Sequence, residues 1–307
     1  MSSGKIPASG APGQSSAPQQ PAARRVFNQE IGIQHPLRLL VAEDNEVSQK
    51  LVLSILARLG YQAELANNGL EALKILHEKP FDAVLMDIQM PEMDGETAAR
   101  HIRMDFPPAQ QPRVIAMTAN TLTGDRERYL LAGMDDYIGK PIKIDELVRA
   151  LQASQPLGTA TAATPVVDSS EAKALPAAAR TLDLSVLCEF SEAMGEGGFE
   201  MVKELAILYR KNSAALILDL KEMLDSHEFN NLQRAAHTLK GNSSQVGATR
   251  LSGLCFDLEQ IAKHETPEGA QAVLEQIKAE FAKVENELEK VLQLSERTWY
   301  AFSDNIN

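Results

Sequence analysis

Residues 37–60 read LRLLVAEDNEVSQKLVLSILARLG. The first six, Leu37 to Ala42, form a near-continuous apolar run that stops at Glu43 and Asp44. Val47, Leu51, Ser54, Ile55 and Leu59 then recur at helical steps. A short apolar run is the mark of a strand buried on both faces, and the stripe after it is one face of a helix. The stretch therefore predicts a strand, a turn carrying two carboxylates and a crossover helix. Further apolar runs stand at 63–66 (AELA), 83–86 (AVLM), 114–117 (VIAM) and 136–138 (DYI), and Leu70, Leu73 and Leu76 mark another helical face between them. Residues 36–154 thus predict five βα units, an α/β domain whose five-stranded parallel sheet is covered on both sides.

Outward from that domain the pattern changes. Residues 1–35 predict a disordered arm, the first 23 being almost entirely Ser, Gly, Pro, Ala and Gln, too poor in apolar surface to offset the entropy of ordering. Residues 155–181 (QPLGTATAATPVVDSSEAKALPAAART) read as a flexible linker, with a root-mean-square span of about 30 Å when fully flexible. Over 182–298 only 3.6-residue stripes remain: Phe199 to Leu220, Phe229 to Val246, Leu251 to Ile261, and Val273 to Val291. Four amphipathic helices after a short lead-in predict an all-α four-helix bundle, followed by a tail over 299–307.

The 307 residues carry 42 acidic and 30 basic side chains, a net charge of −12, which disfavours binding to a nucleic-acid backbone. No apolar run reaches the roughly 18 residues of a membrane span, and no hydrophobic leader core opens the sequence, so the expected location is the cytoplasm. Cys188 and Cys255 stand outside any CxxC or His-rich cluster and read as reduced, buried thiols. The stripe of the last long helix is needed to close the bundle, which favours a monomer over a coiled-coil dimer.

In an open parallel sheet, ligands bind beyond the carboxyl ends of the strands. Those ends carry Glu43 and Asp44, then Asp87, then Thr118, and finally Gly139-Lys140-Pro141. Three converging carboxylates with a single lysine call for a cation. Hard oxygens together with a phosphate suit Mg²⁺, so the constellation reads as a metal-assisted phosphoryl site. VAEDN at 41–45, LMDIQMPEMDG at 85–95, AMTAN at 116–120 and AGMDDYIGKPI at 132–142 resemble, in order and spacing, the signature blocks of response-regulator receiver domains, whose fold is flavodoxin-like. The resemblance implies that Asp87 accepts a phosphoryl group. It implies that Glu43, Asp44, Asp87 and the backbone carbonyl of Gln89 hold Mg²⁺, and that Lys140 pairs with phosphate oxygens. It further implies that Thr118 and Tyr137 form a switch, and that Gln89 and Asn120 influence how long the phosphate survives. Singly, an acidic pair after a strand is an ordinary helix cap and a Lys-Pro is ordinary turn chemistry; it is the set that carries the reading.

In the second domain His237 stands in AAHTLKGNSSQVGA, turned about 130° from the apolar stripe of its helix, with Lys240 and Gly241 on its side. Glycine costs about 1 kcal/mol in a helix interior, which suggests that clearance beside the imidazole matters. The HxxKG pattern resembles the histidine-containing phosphotransfer (HPt) domain, and implies that His237 takes the phosphoryl group from an aspartyl phosphate while Lys240 offers positive charge to its oxygens. No nucleotide-binding block accompanies them. The expectation is a phosphorelay intermediate without an ATP-binding kinase domain in this chain, fed by an upstream sensor histidine kinase and discharging to a downstream response regulator. The lead-in IGIQHPLRLLVAEDN resembles the entry to a receiver attached to a hybrid histidine kinase, so the chain is either a separate relay protein or the C-terminal piece of such a kinase. Two alternatives stay open: a phosphorylation-switched docking module or phosphate sink, and a Mg²⁺-dependent phosphatase using Asp87 covalently.

Overall fold

The computed structural model describes residues 30–119, 125–157, 181–265 and 268–303. Five parallel strands, β1 (Leu39–Ala42), β2 (Ala63–Ala66), β3 (Ala83–Asp87), β4 (Arg113–Thr118) and β5 (Asp136–Gly139), lie in the order β2-β1-β3-β4-β5. The order reverses between β1 and β3, whose carboxyl ends lie side by side, Ala42 opposite Met86. Alternation along the strands sends Leu39, Val41, Leu85, Ile115 and Met117 to one face, where α2 (Glu46–Arg58) and α6 (Ile144–Gln152) cover them. Leu40, Val84, Met86, Val114 and Ala116 face the other side, under α3 (Gly69–Glu78), α4 (Gly95–Asp105) and α5 (Asp125–Leu131). The fold is the expected flavodoxin-like one.

Residues 30–35 of the expected amino-terminal arm are ordered against the sheet domain. Glu30–Gln34 form a helical turn, α1, closed onto the sheet domain because the Gly32 amide donates to the Leu59 carbonyl at 2.8 Å. His35 follows it with Nε2 within 3.2 Å of the Leu151 and Ser154 carbonyls, tying the segment to the end of α6. Residues 1–29 of the arm expected over 1–35, and 158–180 of the linker expected over 155–181, lie outside the described residues.

The second domain is helical throughout. After α7 (Leu184–Met194), the helices α8 (Gly198–Asp225), α9 (Phe229–Gln245), α10 (Thr249–Lys263) and α11 (Ala270–Leu292) enclose Val202, Tyr209, Leu232, Leu239, Leu258, Ile277 and Leu288. Gly247, at φ +84°, makes the sharp turn from α9 to α10 and lies so close to the Asp183 carbonyl that a side chain there would run into it. The tail expected over 299–307 is corrected over 299–303, the remaining four residues lying outside the described ones. Glu296–Ser303 form a further helix, α12, because Trp299 is fully buried, stacked on Phe199 at 5.1 Å and donating its Nε1 hydrogen to Ser191 Oγ at 3.0 Å. Among the described residues no helix is long and apolar enough to cross a membrane.

Candidate functional site

Glu43 and Asp44 leave β1, and Asp87 ends the neighbouring β3. One carboxylate oxygen of each falls within 4.8 Å of the others. Local sequence holds both loops. Asn45 caps α2 by accepting the Val47 and Ser48 amides at 2.9 and 3.0 Å. Gly95, the last residue of LMDIQMPEMDG, lies against the Asp87 carbonyl where any Cβ would collide, and its amide donates to Ile88 O at 3.0 Å. Lys140, following β5, places Nζ 2.7 Å from Glu43 Oε2 and 2.9 Å from Asp87 Oδ2.

Burial, then the charge of Asp87, pushes the Glu43 carboxyl up to about 8 despite the opposing Lys140. The same two causes raise Asp44 to about 6, with Lys140 and Arg234 opposing. Lys140 is itself raised, because Asp87 and Glu43 outweigh the cost of burying its charge. The cluster is short of positive charge, and Glu43 Oε1 is buried without a hydrogen-bond partner. Hard oxygens and an orphaned lone pair fit a divalent cation of the Mg²⁺ kind. The side chain of Gln89 is exposed, and Asn120 lies outside the described residues.

Thr118 ends β4 beside this cluster, 3% exposed, with Oγ1 2.8 Å from the hydroxyl of Tyr129 on α5. Tyr137 on β5 is half-buried. Tyr129, in RERYLLA, belongs to none of the sequence motifs that mark the cluster.

On α9, His237 is less open than its angle from the apolar stripe suggests, with its side chain 16% exposed. The reason is α10. Glu259 stands across the helix pair and takes His237 Nδ1 on one oxygen at 3.0 Å and Lys240 Nζ on the other at 2.6 Å. Burial raises the Glu259 carboxyl, but the hydrogen bond and charge of His237, and then those of Lys240, outweigh it and bring it down to about 2. A carboxylate only accepts, so Nδ1 carries the proton and Nε2 the lone pair. Gly241 departs from expectation, since a Cβ there would meet nothing within 4 Å. The space beside the imidazole is real, and a methyl group does not fill it.

The receiver-like domain rests on this face. Gln245 Nε2 donates to Ser48 Oγ at 2.7 Å in a buried contact, Asn212 meets Glu46 at 3.2 Å, and Lys50 pairs with Glu204 at 2.6 Å. Arg234 lies close enough to Asp44 for its charge to act on it. Arg234, His237, Gly241 and Gln245 recur at helical steps, so His237 belongs to the stripe of α9 turned toward α2.

Residues 39–152 match the response regulator receiver domain and residues 204–287 match the Hpt domain. The chain therefore carries a receiver domain followed by an Hpt domain, the pairing of two-component phosphorelay proteins. It is similar to the signal transduction histidine-protein kinase BarA of Escherichia coli, 28% identical over 257 residues, 83% of this chain and 27% of that protein. It is also similar to the hybrid signal transduction protein dokA of Dictyostelium discoideum, 43% identical over 113 residues, 37% of this chain and 7% of that protein. A solved receiver domain of the Pseudomonas aeruginosa sensor histidine kinase PA1611, with magnesium in its active-site cleft, is 42% identical; the match covers 38% of this chain and 94% of that one, at a TM-score of 0.35. The chain thus spans about a quarter or less of the length of these two curated relatives.

Proposed function

We propose that the chain is a relay intermediate in which Asp87 receives a phosphoryl group from an upstream histidine kinase, His237 takes it from Asp87, and a downstream response regulator takes it from His237. Two buried, unpaired thiols are in keeping with a cytoplasmic setting. The observation that carries the reading is the pairing of an acidic, lysine-bearing strand-end cluster with a histidine whose Nδ1 is already committed to Glu259.

Glu43, Asp44 and Asp87, with the Gln89 carbonyl, would hold Mg²⁺, which when bound supplies neutralising charge for the phosphoryl oxygens. An Asp87 oxygen attacks the phosphorus of the donor phosphohistidine; the O–P bond forms, the N–P bond breaks, and the donor imidazole leaves and takes up a proton. Lys140, already against Asp87, has only to turn its ammonium toward the incoming oxygens. Thr118 donates its hydroxyl hydrogen to one of them. In the second step the Nε2 lone pair of His237 attacks the same phosphorus, and the Asp87 carboxylate departs with its electron pair. The proton stays on Nδ1, where Glu259 balances the charge that the imidazole acquires. Lys240, held by the other Glu259 oxygen, is a short reorientation from the phosphoryl group.

The test is labelling of the full chain by a purified phosphorylated kinase. Asp87→Asn is expected to abolish label at both sites, and His237→Gln to leave Asp87 labelled while stopping delivery to a separate receiver. Label on His237 at the wild-type rate in Asp87→Asn would refute the internal order, and signalling retained by His237→Gln would favour the docking reading.

A further inference from the structure

We infer that the cleft between the two domains is a binding site for an amphipathic amine, a small molecule with an apolar body and a protonated nitrogen. The receiver contributes α2 and the loop from β5 to α6. The Hpt domain contributes α7, the end of α9 and α12, and together they enclose a cavity of about 970 Å³. That volume suits a small organic molecule, and boundaries between domains are where such sites form. Leu51 and Ile55 of α2, Ile142 of the loop and Phe190 of α7 give it apolar walls.

Two further features fix the polar end of the occupant. Gln245 lines the cavity, is 1% exposed and gives its Nε2 hydrogen to Ser48, while its Oε1 is buried without a hydrogen-bond partner. A buried acceptor in that state calls for a donor, because leaving it unmet costs the desolvation of the group. Among the described residues the lining also carries six carboxylates, Glu189, Glu196 and Glu296 among them, against one basic residue, Lys143. Lys143 already stands 3.5 Å from Glu146. Burial, then the charge of Asp183, pushes the Glu189 carboxyl up with Lys143 opposing, the sign of a surface short of cations. A protonated amine meets both demands, donating to the amide oxygen and neutralising carboxylates. An anion of the same shape would be repelled. The site also bears on the rest of the molecule. Pro141 lines it, next to Lys140, whose ammonium meets Glu43 and Asp87. Its walls come from both domains, so only their docked arrangement assembles it, and an occupant favours that arrangement.

The test is isothermal titration calorimetry on the full chain at pH 7. The probe is decylammonium, kept below its micelle concentration, and the comparison is decanoate, the same apolar chain with the opposite charge. Decylammonium is expected to bind saturably and at least about tenfold more tightly than decanoate, the difference that one hydrogen bond to a charged group makes. Glu189→Gln and Gln245→Leu nearly keep the size of each side chain, and each should weaken decylammonium binding about two- to tenfold. Equal affinity for the two probes, or decylammonium binding that both substitutions leave unchanged, would place the apolar chains elsewhere on the surface and overturn the inference. Heats that never saturate would overturn it too. The comparison of the two probes on the unaltered chain needs no substitution, so a variant that failed to fold would not shield the inference.

Discussion

In the proposed relay, the Hpt step turns on the carboxyl group of Glu259. It accepts from His237 Nδ1, which leaves the lone pair on Nε2, and it holds Lys240 on its other oxygen. Its folded-state value near 2 lies below the ordinary 4.5. A depressed carboxyl stabilises the fold fully above its ordinary value, and that contribution is lost as pH falls from about 4.5 toward 2. Thermal melts across this window should therefore show a fall in stability that Glu259→Gln largely removes. The same substitution should slow phosphoryl uptake by His237 about tenfold or more, since it removes a charge-assisted acceptor. A variant with wild-type uptake would show that Nδ1 needs no carboxylate. His237 and Lys240 were legible because their spacing places both on one side of a single helix. Glu259 was not, because it comes from the next helix, and a glutamate in LEQIAK looks like any solvated residue.

At the scale of elements, glycines and a tryptophan separate local from tertiary requirements. Gly95 is needed where α4 begins against the Asp87 carbonyl, and the motif announced it. Gly241 is a different case, since its missing side chain relieves no clash. The short helix α12 rests on Trp299, packed on Phe199 and bonded to Ser191. Trp299→Ala is expected to cost about 3–5 kcal/mol of Hpt stability, read by denaturant unfolding. A loss under about 1 kcal/mol would mean that α12 only decorates the bundle. The sequence could not announce this helix. Eight residues with one tryptophan show no sustained period, and what orders them is a hydrophobic surface contributed by α7 and α8.

Across the whole molecule, the receiver meets the helix that bears His237 through Ser48 with Gln245, and the neighbouring α8 through Glu46 with Asn212. Transfer from Asp87 to His237 within one chain should therefore be first order, its rate independent of chain concentration. Gln245→Ala should slow it about two- to tenfold by removing a buried hydrogen bond. Quench-flow on chains labelled at Asp87 measures this, and an unchanged rate would show that the contact does not hold the domains together during transfer. The sequence by itself determined the two domains, the strand order's chemical edge with Glu43, Asp44, Asp87, Thr118 and Lys140, and the histidine of the helical bundle. Periodicity and strand-end position are local properties, carried by neighbouring residues. Only the tertiary structure decided the partners those residues keep: Glu259 for His237, Tyr129 for Thr118, and α12 against the bundle. Each such contact joins residues of different elements, and its energy exists only once both surfaces are buried together.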